Sequence, residues 1–373
     1  MKATDVMGII FSSAHDKELG GLTTFRTMGS IPFGGRYRMI DFPLSSMVNS
    51  GISKVAVIAR SNDQSLMDHI ESGKTWDLAR RHGGITLFPP FGMGNLATHK
   101  TRVESLYGIK GYLENSKEQY AVVSDCDFVA NLDIEEMVDY HIAKRADVTF
   151  GVFKKTEAVK SGEYMFLECE KGRVNKMTIS PSTVKDDMLF CPGVFVIGRA
   201  MLLDLVINAI ENNTCNLYRD IFGNNIDRLK MVTYEMDDPV LFIGNMADYG
   251  KANRALFDKD IRAKLFDPER PIYTKIHDEM PVKYGLGSDV KNSLIADGCI
   301  IEGEIENSIL FRGVKIGKGA KVKNCIIMQS AVVSDNCKLE YVLADKNTVI
   351  GEGVELKGAE GNPFFIEKNA KVE

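Results

Sequence analysis

Three short stretches carry residues whose types could do chemistry. The first is Pro32-Phe33-Gly34-Gly35-Arg36-Tyr37-Arg38, where two guanidinium side chains follow a Gly-Gly pair. Arginine forks match phosphate oxygens, so Arg36 and Arg38 could grip an anion. They could equally be held in structural ion pairs with Asp41 or another carboxylate. The second stretch is Ser124-Asp125-Cys126-Asp127, which ends the apolar run Tyr120-Ala121-Val122-Val123. A carboxylate at the carboxyl end of a sheet strand stands where α/β proteins place metal ligands, although a lone Asp there also serves as a turn or helix cap. The third is the polar loop from Ser12 to Leu19, after the apolar run Val6-Met7-Gly8-Ile9-Ile10-Phe11. A loop between a first strand and a helix is a natural phosphate site. Here it carries the carboxylates Asp16 and Glu18, the wrong charge for that task.

Alternating elements must hold these stretches. Strands are expected at 55–59, 120–123, 147–153, 163–168, 173–179 and 189–197. Helices are expected at 64–73, 102–115, 133–144, 199–212 and 245–257, from their apolar spacing; Phe88–Gly94 reads as a loop. Apolar strands alternating with helices predict a mostly parallel sheet covered on both faces. The texture changes near Pro268: residues 266–284 read as a linker and helical periodicity stops near 285. A repeat replaces it, with starts at Asn292, Asn307, Asn324 and Glu340. Val314, Ala320, Ile326 and Val332 recur every six residues. Small apolar residues at that period describe a left-handed parallel β-helix. The domains are therefore 1–265, α/β, and 285–373, β-helix, with a terminal edge that needs capping by Gly358–Glu373 or by a partner subunit.

Composition narrows the function classes. The net charge of −5 offers nothing to a nucleic-acid backbone overall. No apolar run approaches the roughly 20 residues of a membrane span, and no signal-peptide pattern opens the chain. Seven scattered cysteines without a C-x-x-C pair fit free thiols in a cytoplasmic protein rather than disulfides or a zinc site.

The stretch from Pro32 to Ser45, Asn49-Ser50-Gly51-Ile52 and the β-helix together make the chain resemble the ADP-glucose pyrophosphorylase (glucose-1-phosphate adenylyltransferase) family over essentially its whole length. The resemblance implies a Rossmann-like nucleotidyltransferase domain and a tetramer in bacterial glycogen synthesis. It also implies a Mg²⁺-dependent attack of glucose 1-phosphate on the α-phosphate of ATP.

Placed on the family's motifs, several expected groups are missing. The phosphate loop G-G-x-G-x-R-L puts its glycines at Ser13, Ala14 and Asp16 and its arginine at Glu18. Two unit charges 4 Å apart interact by roughly 4 kcal/mol at an effective dielectric near 20, so exchanging attraction for repulsion opposes triphosphate binding. The lysine of R-A-K-P-A falls at Met28, after a retained Arg26. Asp125 matches one metal aspartate, while the second falls at Phe242. The sugar-phosphate lysine falls near Ser180. Arg36 and Arg38 match a segment implicated in binding phosphorylated activators.

This pattern resembles the regulatory D-type subunit of the family. It implies a catalytic ADP-glucose pyrophosphorylase subunit as partner, a phosphorylated metabolite as effector, and no nucleic acid or membrane partner. A self-sufficient nucleotidyltransferase with a divergent loop and a stand-alone sugar-phosphate sensor stay open as alternatives.

Overall fold

A computed structural model describes residues 5–13, 15–59, 62–89, 101–155, 163–236 and 239–373. Ala14 and the end of the expected 88–94 loop lie outside them. The N-terminal domain is built on ten strands: β1 (Val6–Phe11), β2 (Lys54–Ile58), β3 (Gly84–Phe88), β4 (Tyr120–Asp125), β5 (Val148–Lys154), β6 (Met165–Glu170), β7 (Arg173–Ile179), β8 (Leu189–Cys191), β9 (Phe195–Gly198) and β10 (Met231–Glu235). They form one sheet in the order β8-β6-β7-β10-β5-β9-β4-β1-β2-β3. Its helices include α1 (Asp41–Asn49), α2 (Gln64–Ile70), α3 (Arg102–Gly108), α4 (Lys110–Glu114), α5 (Ile134–Lys144), α6 (Arg199–Glu211), α7 (Met246–Ala255) and α8 (Lys259–Leu265).

The expected α/β domain followed by a β-helix is the fold observed, but the sheet is mixed. β4, β1, β2 and β3 are parallel, as are β5 and β10. The pairings of β6, β7, β8 and β9 with the strands beside them are antiparallel. The reason is local. Lys171 and Gly172, both at positive φ, close a two-residue hairpin between β6 and β7, which no parallel pair can use. The expected strand 189–197 is two strands, broken around Gly193 (φ +87°). The expected helix 102–115 is also two, joined at Ile109.

The linker is packed against the first domain. Asn49 donates to the Pro271 carbonyl, and Asn131 to those of Leu265 and Arg270. Tyr273 N–H donates to Ser45 Oγ. The first β-helix coil is β11 (Lys283–Tyr284), β12 (Asp289–Lys291) and β13 (Leu294–Ile295), so β11 falls in the last two residues of the predicted linker. Three purely parallel sheets then stack along the prism.

The repeat has a physical cause. Asn292, Asn307 and Asn324 all stand at corners with positive φ (42°, 48°, 55°), a conformation that asparagine tolerates better than most residues. The side chains of Asn292 and Asn307 hydrogen-bond at 2.7 Å. At the fourth corner the strained residue is Tyr341 (φ 51°), one place after Glu340.

The six-residue phase runs only part of the way. Equivalent strands start at 283, 300, 315, 332, 349 and 371. The first four intervals, of 17, 15, 17 and 17 residues, are shorter than three hexapeptides and the last, of 22, is longer, so the inward phase slips. Val314 and Ala320 point into the prism core, but Cys325, Ala331 and Val333 succeed them. Val332 is half-buried. Ile326 faces outward instead, into one apolar cluster with Ile309, Phe311, Met28, Ile31 and Phe33, which seals the β-helix against the first domain.

Lys321 and Lys323 of the basic run pair with Glu304 and Glu306 on the neighbouring coil. All seven cysteines are free. Among the described residues, no helix is long and apolar enough to cross a membrane.

Candidate functional site

Two places gather the polar residues. One is the carboxyl edge of β1 and β4. Asp125 is the last residue of β4 and is buried. Arg102, the first residue of α3, reaches it: Nη2 lies 2.6 Å from Oδ2, and Nε lies 3.4 Å from Oδ1. The helix start that aims Arg102 is a capping box, in which Thr101 and Glu104 bond each other's backbone N–H. Arg102 Nη2 also lies 2.8 Å from His15 Nε2, and Tyr218 Oη lies 3.4 Å from Asp125 Oδ2. Gly193 leaves room for this arrangement, since a Cβ there would strike the Asp125 carboxylate.

The charges settle as an internal pair. Burial opposes ionisation of both partners, but mutual attraction outweighs it. Asp125 is held below the usual carboxylate range, and the Arg102 guanidinium above its usual value. Burial lowers His15, which stays neutral. Asp127 differs: burial, and then the charge of Asp125, raise it well above an ordinary carboxylate. Among the described residues neither of its oxygens has a hydrogen-bond partner, although Oδ2 lies 3.5 Å from His15 Nε2. Rings close over this pair of carboxylates. His15 stacks on Tyr164 (4.3 Å between centroids), and Phe242 meets Tyr164 edge-on at 4.9 Å.

His15 Nε2 and one oxygen each from Asp125 and Asp127 lie within 4.8 Å of one another. That donor set does not fit magnesium, which takes oxygens in near-octahedral geometry and keeps several waters. Two of the three donors, Asp125 and the His15 imidazole, are already engaged by the Arg102 guanidinium, the third, Asp127, holds its proton far more tightly than an ordinary carboxylate, and Phe242 contributes no ligand.

The remaining expected positions are scattered. Ser13 is buried two residues beyond the end of β1. Asp16 accepts the Met28 N–H at 2.7 Å, while the Met28 side chain sits in the apolar core. Glu18 is half-buried and close enough to His15 and Asp127 to bear on their ionisation. Ser180, at φ +45°, accepts the Tyr164 N–H at 3.1 Å and so ties down the aromatic wall.

The second place is a cleft between the first domain and the β-helix. Arg36, Arg38, His69, His277, Arg312 and Lys346 line it, and no carboxylate does among the described residues. Gly34 (φ +59°) and Gly35 (φ +88°) make the turn that projects Arg36. The ion-pair alternative for the arginines is met only in part. Arg38 N–H donates to Asp41, but its guanidinium binds Ser65 O and Oγ. Asp41 is instead taken by His69 at 2.5 Å.

The cleft strains toward positive charge. Burial, then Arg38 and Arg26, push Lys346 down to about 7. Burial lowers Arg38 to about 10, with Arg26 and Arg312 adding to the fall against the pull of Asp41. Burial, then Arg36, lower Arg312. Arg312 is 6% exposed, and its Nε and Nη2 are buried without a partner among the described residues. Unpaired buried donors of one sign fit an anionic ligand.

Comparison with known proteins places this geometry. The nucleotidyl transferase family profile matches residues 7–259, and the GlmU-like C-terminal hexapeptide profile matches residues 281–360. This chain belongs to the nucleotidyl transferase family. It is 33% identical over 363 residues to the glycogen biosynthesis protein GlgD of Bacillus subtilis (strain 168), covering 97% of this chain and 96% of that one. Identity to GlgD of Geobacillus stearothermophilus is 35% over 366 residues, with the same coverage. The glucose-1-phosphate adenylyltransferase of Geobacillus stearothermophilus is 30% identical over 326 residues, covering 85% and 83%.

Within this family the sequence pointed to Asp125, Arg36 and Arg38 but missed Arg102, Tyr218, Arg312, Lys346, His69 and His277. Thr101-x-x-Glu104 announces a helix start, yet nothing in that spacing tells which carboxylate Arg102 meets. Arg312 and Lys346 come from separate β-helix coils and join the cleft only through the docking of the two domains.

Proposed function

We propose that the chain is a regulatory subunit, without catalysis of its own, of a glucose-1-phosphate adenylyltransferase in glycogen biosynthesis. In this reading it binds a phosphorylated metabolite in the cleft lined by Arg36, Arg38, Arg312 and Lys346. It acts by biasing the conformation of a catalytic homologue in a hetero-oligomer. The observation that carries the reading is the Arg102 guanidinium on Asp125. A fixed internal cation answers the carboxylate that a nucleotidyl transferase would turn toward a metal–triphosphate complex. Asp16 and Glu18 in the loop after β1, and the aromatic ring of Phe242, support it, because none of them offsets phosphate charge. The similarity to the two GlgD proteins points the same way.

The test is turnover. The purified chain, given ATP, glucose 1-phosphate and Mg²⁺, is expected to release pyrophosphate at background level. Mixed with a catalytic homologue, it is expected to change that enzyme's rate or its response to activators. Robust turnover by the chain alone would discard the proposal.

A further inference from the structure

Lys346 differs from the lysines on the outer face of the β-helix. Lys321, Lys323, Lys338 and Lys357 each hold a carboxylate on a neighbouring coil. Lys346 stands two residues past the strand Val342–Ala344 and is half-buried. It lines the cationic cleft, and among the described residues its Nζ has no hydrogen-bond or ion-pair partner. The carboxylate beside it in the chain, Asp345, is spent. Arg26 takes both of its oxygens, and the Lys346 backbone N–H donates to Oδ1 at 2.7 Å.

That amine is a nucleophile. Burial, then Arg38 and Arg26, lower its pKa to about 7, with Asp345 pulling the other way and Lys368 adding to the fall. A large share is therefore neutral amine in neutral solution, whereas an ordinary lysine near 10.4 is almost wholly ammonium there and has no lone pair to share. Around the amine stand donors without acceptors. Arg312 keeps Nε and Nη2 unpartnered among the described residues, and Arg36 is exposed at the tip of its turn. A planar carboxylate-like group meets guanidinium forks in two parallel hydrogen bonds. The cleft is also small, about 30 Å³, where one water needs about 10–15 Å³. That room suits three atoms grown on the amine, or a single phosphoryl group whose ester chain stays outside.

We propose that Lys346 Nζ takes up carbon dioxide as a carbamate, and that the arginines of the cleft hold it there. The Nζ lone pair forms a bond to the carbon of CO₂, one C=O pair moves onto an oxygen, and the nitrogen gives one proton to solvent. The product is a lysine carbamate of charge −1. Nothing is oxidised or reduced, and proton uptake with loss of CO₂ reverses the step. The buried charge is answered from both domains, by Arg36 and Arg38 on one side and Arg312 on the other. A carbamate takes the volume and the donors that a phosphoryl group would use, so dissolved CO₂ opposes the binding of a phosphorylated effector. The proposal shares the cleft with the regulatory reading, but it requires neither a phosphorylated effector nor a catalytic partner.

The test equilibrates the full chain with carbon-13 bicarbonate and CO₂ in a sealed tube at about pH 8, above the Lys346 pKa of about 7. Carbon-13 NMR detects the carbamate, and alkylation with a trialkyloxonium salt traps it as an ester for peptide mass spectrometry. Peptide mapping separates Lys346 from the chain's α-amino group, which is also partly neutral at this pH. Label on Lys346 is expected to exceed that on an ordinary surface lysine by about a hundredfold. At fixed CO₂ pressure, the ratio of carbamate to free amine should rise about tenfold per pH unit, because one proton leaves. Lys346→Arg keeps the charge and should abolish the label. Arg312→Gln keeps the amine and should lower the label about tenfold, as the loss of one charge-assisted hydrogen bond would. No label on Lys346, a label no greater than on surface lysines, or one indifferent to Arg312→Gln would each overturn the proposal. Calorimetric sulfate binding in a chain that forms no carbamate would also overturn it, while leaving the anion cleft standing. A carbamate that forms where sulfate does not bind would uphold it and count against a phosphorylated effector.

Discussion

Arg26 Nη2 lies 2.8 Å from Asp345 Oδ1 and 2.9 Å from Oδ2, although 319 residues separate the two. Both residues are buried, at 1% and 0% exposure. Arg26 belongs to the segment that follows β1, and Asp345 to the β-helix. The next residue, Lys346, lines the anion cleft. Two adjacent side chains therefore join that cleft to the loop where the family's phosphate site would lie. A buried pair need not stabilise relative to an apolar one, but removing one partner strands the other. Asp345→Ala should destabilise the fold by about 3–5 kcal/mol. Urea unfolding checks this, and a loss within experimental error would mean that the domains are held by apolar packing alone.

Asp127 makes an opposite prediction. Its folded-state pKa lies well above the unfolded value near 4. The folded chain therefore holds that proton more tightly. Its stabilising effect is complete below the unfolded pKa and is lost as pH rises toward the folded one. Asp127→Asn removes this dependence without adding charge. The variant should gain on the wild type in thermal midpoint between pH 4 and pH 7, by about 1–2 °C if roughly 1 kcal/mol is recovered. A gap that stays constant with pH would show that Asp127 ionises as an ordinary carboxylate.

Lys346 predicts how the cleft senses pH. With a pKa pushed down to about 7, its ammonium is partly deprotonated in neutral solution when no anion is present. An anion in the cleft favours the charged form, so binding takes up a proton. Affinity should therefore fall as pH rises from 6 to 8, by up to about tenfold per unit at the steepest point. Sulfate is the clean probe, because a phosphate ester changes its own charge near pH 6. Calorimetry in two buffers of different ionisation enthalpy reads the proton directly. Lys346→Met should flatten the profile, and a flat wild-type profile would refute the assignment. The same lowered pKa makes the stability of the anion-free protein rise as pH climbs from about 7 toward the unfolded value near 10.

These residues also mark what a sequence can carry. Asn292, Asn307 and Asn324 are legible because a corner at positive φ selects its residue type and recurs with each coil. The strand ending at Asp125 is legible because a buried strand reads as an apolar run. The pairing of β6 with β7 was not, since a mixed sheet and a parallel one share the same apolar strands and differ in two turn residues, Lys171 and Gly172. Val332 misled because six-residue spacing assumes full coils, and a 17-residue coil breaks the phase. Arg102 and Arg312 escaped for another reason. Their meaning is set by partners 23 residues away or in another domain, and no local pattern encodes a long-range meeting.

Arg36 and Arg38 resemble each other in sequence and differ in role, and two substitutions should separate them. Arg36 is exposed at the tip of the Gly34-Gly35 turn, where its guanidinium lies 6.0 Å from the centre of the Tyr37 ring. Arg38 is more deeply set and bridges to Ser65 at the start of α2. Arg36→Ala should leave stability within about 0.5 kcal/mol of wild type, yet weaken sulfate binding about tenfold, as the loss of one charge-assisted hydrogen bond would. It should also blunt the activator response of a mixed enzyme. Arg38→Ala should weaken binding too, but with a stability loss of about 1–3 kcal/mol from the stranded Ser65 acceptors. Thermal midpoints and calorimetric affinities measured on the same two variants decide it. If Arg36→Ala lowers the midpoint as far as Arg38→Ala does, or leaves sulfate affinity unchanged, the cleft is a structural cluster and not an anion site.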